Sequence, residues 1–270
     1  MSPIYTPGKV VLRGPTVAPL LLDSYAGAAA AYSLRQLSWA YGGPVVRVRR
    51  SNDNAEQDFT ATQVSDGTLA AWVGAGNNGF VRTWYDQSGN GGNAVQSTNA
   101  LQPTIVSNGS LVTQAGKAAT SFTGSGVRLE APHLIQRARL DSYIVKNTSD
   151  TDYLLFGGNT STGFSWLSTS ASSNANLTGG GYGGSLYANN QLFVGATRGQ
   201  IYSFLDGYKL EVHQGASTSG GSWVAFDIGV YNRSTLDFTG SIQELVFYAS
   251  DQSANRTAIQ SNINAHYAIY

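Results

Sequence analysis

The chain has 270 residues, of which only 12% are charged, and its 16 Lys and Arg balance its 16 Asp and Glu. That balance argues against a nucleic-acid binder, which needs an excess of cations on one face. No stretch reaches the roughly 18 to 20 apolar residues that cross a bilayer, and the absence of cysteine excludes a disulfide framework, a thiolate metal site and a thiol nucleophile.

Residues 1–19 carry Pro3, Pro7, Pro15 and Pro19 and show no hydrophobic period. Proline removes a ladder donor, so this segment reads as an extended arm that must be covered by something else if it is ordered. It lacks the basic region and apolar run of a secretory signal. Residues 28–37 open on four alanines and are expected to be helical on propensity. A second short helix is expected over 66–73, with Asp66 as its cap. Strands are expected near 45–49, 80–85, 118–122, 142–146, 153–157 and 164–168, then near 192–197, 201–205, 209–213, 223–231 and 240–248. Asp206-Gly207 is a hairpin signal between the strands at 201–205 and 209–213. The Ser, Asn and Gly of residues 170–185 mark a long surface loop, and 250–267 reads as a terminal helix with Ile259, Ile263 and Tyr267 on one face. Short strands at this spacing predict an all-β jelly-roll β-sandwich over 20–270, with short helices near its N-terminus and at its C-terminus.

The segment Phe80-Val81-Arg82-Thr83-Trp84-Tyr85 runs as a strand into Asp86-Gln87-Ser88-Gly89-Asn90-Gly91-Gly92-Asn93, a loop of turn-forming residues. The run Trp84-Tyr85-Asp86-Gln87-Ser88-Gly89-Asn90-Gly91, preceded by Ala40-Tyr41-Gly42-Gly43-Pro44-Val45-Val46-Arg47-Val48-Arg49-Arg50-Ser51-Asn52-Asp53, resembles the catalytic β-sandwich of family 54 α-L-arabinofuranosidases. It is still more similar to the related concanavalin/laminin-G-like modules of bacteriophage virion proteins. The resemblance covers roughly Leu20 to the C-terminus and implies a concanavalin-like fold. It also implies a virion surface protein (tail fibre, baseplate or capsid decoration) assembled in the host cytoplasm. On that reading the arm contacts other virion proteins, the sandwich binds host cell-surface glycan, and the protein is a homo-oligomer. The alternative is an arabinofuranosidase-like glycoside hydrolase degrading host polysaccharide.

A glycosidase needs two facing carboxylates. The second half of the chain offers Glu130, Asp141, Asp150, Asp152, Asp206, Glu211, Asp227, Asp237, Glu244 and Asp251. Glu244 is the leading candidate acid because its strand is otherwise apolar, and Asp227 is the second. For both, the competing reading is a buried structural carboxylate paired with Arg or backbone amides. The family's substrate pocket includes adjacent cysteines in a vicinal disulfide, which this chain lacks. The segment that should carry the acid/base, Ile228-Gly229-Val230-Tyr231-Asn232-Arg233-Ser234, holds no acid. A non-enzymatic protein is therefore expected. Asp86, Asn90 and Asn93, beside Trp84, are candidate ligand-binding groups, weighed against an Asx-type turn bonded to its own backbone. Trp166, Tyr182 and Tyr187 are candidates for stacking on sugar, whereas Trp39 and Trp72 are expected in the core. His133, His213 and His266 lack metal-ligand spacing, so neither a metal nor another cofactor is expected.

Overall fold

The computed structural model describes residues 19–132, 140–148, 156–158, 165–166, 185–193, 204, 206–216, 225–230 and 237–270. The expected N-terminal arm therefore lies outside the described residues, apart from Pro19. Most of the 170–185 loop and the expected strand 201–205 lie outside them too, apart from residues 185 and 204 respectively.

The described residues form three layers. One sheet, here the back sheet, is built on β19 (Thr239–Tyr248). It pairs antiparallel with β1 (Ala28–Ser33), β10 (Thr120–Thr123) and β12 (Leu140–Thr148). The sheet continues through β17 (Lys209–Ala216), β15 (Ser185–Ala188) and β16 (Gln191–Phe193). The front sheet runs from β3 (Glu56–Phe59) through β2 (Val46–Arg50), β4 (Gly79–Trp84) and β5 (Ala94–Val95). It goes on to β11 (Leu129–Pro132), β18 (Ala225–Ile228), β13 (Phe156–Gly158) and β14 (Ser165–Trp166). The strand β6 (Thr104–Ser107) joins the two sheets by pairing with both β4 and β10.

The period-2 alternation of the strands sets the layers. Val46, Val48, Val81, Trp84, Leu129 and Ile228 of the front sheet pack against Ala30, Tyr32, Ile144, Leu245 and Phe247 of the back sheet. The alternate residues of the back sheet, including Ala31, Val145, Val246 and Tyr248, face the other way. They are covered by α1 (Leu21–Ser24) and α4 (Arg256–Tyr267), the latter through Ile259, Ile263 and Tyr267. Two further short helices, α2 (Ala61–Ser65) and α3 (Thr68–Val73), close one end of the inner core.

The alanine run is a strand rather than a helix. Ala31, Tyr32 and Ser33 pair with Val246, Leu245 and Glu244, and Ala30 and Ala31 are buried on opposite faces. Tertiary burial on both sides outweighs a helix preference worth only tenths of a kcal/mol per residue. The helix expected over 66–73 is α3, but its N-cap is Gly67 and not Asp66, which ends α2 and accepts a hydrogen bond from the Thr68 N–H at 2.9 Å. Trp72 packs edge-on against Phe59, with the Arg50 guanidinium over its ring. Trp39, expected in the core, is 54% exposed in the turn after β1.

Gly229, just after β18, marks a tight approach between strands. Its φ is +98°, and a Cβ there would lie 2.5 Å from the Phe122 ring and 2.8 Å from the Val127 carbonyl oxygen. Gly229→Ala is expected to cost about 2–3 kcal/mol from strain and overpacking, measurable as a lower denaturant midpoint.

Candidate active site on the front sheet

Trp84, expected to meet a ligand, is instead a core residue. It is fully buried, with its ring 6.0 Å from that of Tyr32, because its position in β4 points it between the sheets. The loop that follows is tied to β1 by its own polar groups. Asp86 Oδ1 accepts from the N–H groups of Ala31 (2.8 Å) and Ser88 (2.9 Å), and Oδ2 accepts from the Ser88 hydroxyl (2.7 Å) and the Gly92 N–H (3.0 Å). Asn93 Oδ1 accepts from the Asp86 N–H, and the exposed Asn90 donates to the carbonyls of Ala28 and Ala29. Gly89 and Gly91 adopt the positive φ that the turn needs. Asp86 is buried, so its oxygens serve the loop and not a ligand. The Asx-turn geometry is the one the motif's residue types favour.

Glu244 is also turned inward. It lies under α4, fully buried, and accepts from Arg35 Nε (2.7 Å), Arg35 Nη2 (3.0 Å), the Ser33 hydroxyl (2.8 Å) and the Tyr267 hydroxyl (3.1 Å). Burial, followed by the Glu244 carboxylate, pushes the Tyr267 hydroxyl well above the usual phenol range, so it remains a donor. This is the structural, arginine-paired carboxylate and not an acid facing a substrate. Glu211 likewise sits inside the protein, 2.8 Å from Lys146 Nζ, with both side chains fully buried.

Asp227 has a different setting. The register of the front sheet places Arg47 opposite Thr83, Thr83 opposite Val95, Val95 opposite Glu130, and Glu130 opposite Asp227. Each of these residues alternates with a neighbour buried between the sheets (Val46, Trp84, Ala94, Leu129 and Ile228), so the row runs along the outward face. Directly opposed residues on antiparallel strands bring their Cβ atoms to about 4.5–5.5 Å. Asp227 and Glu130 are therefore a cross-strand carboxylate pair. Arg128 reaches Glu130 Oε1 at 3.1 Å, and the Glu130 side chain is 34% exposed. Asp227 is fully buried. Further along the face, Arg47 is bonded to Glu56 (2.8 Å) and lies 3.3 Å from Asp58, which accepts from the Tyr85 hydroxyl at 2.9 Å. Arg49, two residues on, has a different environment. It is buried over Phe80 and bonded to Gln102 and Asn54.

Sequence inspection missed the pairing of Glu130 with Asp227. The alternation Arg128-Leu129-Glu130-Ala131 was a usable signal for an outward Glu, but nothing local reveals that β11 lies beside β18. Among the proposed stacking residues, Tyr187 is half-buried under Arg256, whose guanidinium carbon is 3.9 Å from the ring centroid. Trp166 belongs to β14, though its side chain lies outside the description, and Tyr182 is outside the described residues altogether.

No family model and no curated protein matches the sequence. Similar folds occur among solved structures. An arabinofuranosidase complexed with arabinofuranosyl-α-1,2-xylobiose matches with a TM-score of 0.55 at 16% identity, over 93% of this chain and 64% of that one. A Glu-to-Gln variant of a family 54 α-L-arabinofuranosidase soaked with 4-nitrophenyl α-L-arabinofuranoside matches with a TM-score of 0.60 at 15% identity, over 93% and 65%. A family 54 α-L-arabinofuranosidase soaked with a cyclic sulfate inhibitor matches with a TM-score of 0.55 at 17% identity, over the same shares. This chain thus spans just under two thirds of the length of those proteins. The structural likeness is to arabinofuranosidases and gives the bacteriophage virion reading no support, so that reading does not hold. The chain has the all-β concanavalin-like sandwich fold of the family 54 enzymes.

Proposed function

We propose that the chain is a glycoside hydrolase module acting on arabinofuranoside-type substrates, with Glu130 and Asp227 as its carboxylate pair. The observation that carries this reading is their direct opposition on neighbouring strands of the front sheet, on the face turned away from the inner core. A retaining mechanism needs two carboxyl groups about 5 Å apart, one attacking the anomeric carbon and the other donating a proton to the leaving oxygen. Glu130 can reach a substrate from solvent, with Arg128 fixing its position. The likeness to arabinofuranosidases adds a fold on which such chemistry is housed, although fold by itself does not carry function.

The test is release of 4-nitrophenol from 4-nitrophenyl α-L-arabinofuranoside. Glu130→Gln and Asp227→Asn are each expected to lower kcat by at least about 100-fold, as removal of an acid, base or nucleophile does. Wild-type protein without turnover, or variants that keep full activity, would overturn the assignment. The full burial of Asp227 favours a second reading, a module that binds arabinose-containing glycan without cleaving it. Retained binding without turnover would select that reading.

A further inference from the structure

A cavity of about 420 Å³ opens on another part of the molecule, lined by the segment after β1, by α2, by the end of α4 and by the hairpin of β8 (Thr113–Gln114) and β9 (Lys117–Ala118). Its size falls in the range of about 300–1,000 Å³ typical of small-molecule sites. Leu34, Val64 and Leu111 supply apolar wall, and Thr62 and Ser65 add hydroxyl groups. Arg35, Lys117 and His266 line it together. We propose that this cavity is a second carbohydrate site, one that takes an acidic sugar and holds its carboxylate with the Lys117 ammonium.

The charge balance singles out Lys117. The Arg35 charge is met by Glu244 through two hydrogen bonds, so that pair contributes no net charge. Lys117 is exposed and has no carboxylate partner among the described residues. His266 remains neutral at ordinary pH. Burial, and then the Arg35 charge, lower its pKa to about 4, with Lys117 acting in the same direction and Glu244 opposing. The site therefore presents one net positive charge beside a neutral imidazole that can exchange hydrogen bonds with a ring hydroxyl. A single cation beside apolar wall suits one carboxylate on a larger, partly apolar body better than it suits phosphate, which calls for several donors. The hairpin bearing Lys117 is held in place, because Gln243 Nε2 donates to the carbonyls of Gln114 (3.1 Å), Lys117 (3.0 Å) and Ala118 (3.2 Å). The choice of a sugar among carboxylates rests on the carbohydrate reading above, whereas the charge of the cavity does not.

The test is titration of the full chain with D-glucuronate, D-glucose and acetate, followed by calorimetry and by the His266 ring resonances in NMR. Glucuronate is expected to bind, to shift those resonances and to raise the His266 pKa, because an anion nearby favours the imidazolium. Lys117→Glu is expected to weaken that binding at least about tenfold. Since Lys117 is exposed, the variant should keep the wild-type circular dichroism spectrum, and its turnover of the neutral arabinofuranoside should be unchanged. The proposal is overturned if glucuronate fails to bind, if glucose or acetate binds as tightly, or if Lys117→Glu binds glucuronate as the wild type does. Failure of the hydrolase reading would appear in turnover alone, so the two outcomes can be told apart.

Discussion

Asp86→Ala is expected to destabilise the chain by about 3–5 kcal/mol. The substitution leaves the N–H groups of Ala31, Ser88 and Gly92 without their acceptor, and each stranded buried donor costs about 1–3 kcal/mol. The Ser88 hydroxyl also loses its partner. These contacts span the loop and β1, so their loss would loosen the join between the alanine strand and the end of β4. Asp86→Asn should fall between wild type and Asp86→Ala, since it keeps one acceptor oxygen and turns an amide donor toward groups that are themselves donors. Urea unfolding measures both, with the midpoint falling and the slope constant. A cost below about 1 kcal/mol for Asp86→Ala would show that the carboxylate is not what holds the loop, and would reopen a ligand role for it.

Arg35→Ala is expected to cost a comparable 3–5 kcal/mol, by stranding the fully buried Glu244 carboxylate. The Ser33 and Tyr267 hydroxyls would still donate to it, but no counter-charge would remain. Pairing the change with Glu244→Gln removes the stranded charge and should recover part of the loss. The double-mutant cycle then reports the coupling directly. If Arg35→Ala costs the same whether residue 244 is Glu or Gln, the ion pair is not the source of the stability. The tertiary role of the pair is to tie the segment after β1 to β19 beneath α4, where Asn262 also accepts from Arg35 at 3.3 Å.

Where residues form a periodic pattern with a turn signal at each end, the sequence alone was sufficient. The strands around Val46–Arg50, Gly79–Trp84 and Thr239–Tyr248 lie within a residue or so of their expected places, as does the apolar stripe Ile259, Ile263 and Tyr267 of α4. The Asx turn in which Asp86 accepts from the Ser88 N–H is equally local, whereas the bonds of Asp86 and Asn90 to β1 depend on the fold. Three features depended on tertiary structure. The alanine run became a strand because β19 and two cores were waiting for it, a gain far larger than its helix preference. Glu244 was recognisable as a carboxylate among apolar residues, but its fate was decided by Arg35, which reaches it only once β1 lies beside β19. The Glu130–Asp227 pair arose in the same way. Alternation tells which face of a strand a residue occupies, but strands distant in sequence become neighbours only through the global packing of the sheets. A site made of cross-strand neighbours is therefore determined by the fold and cannot be read from either strand by itself.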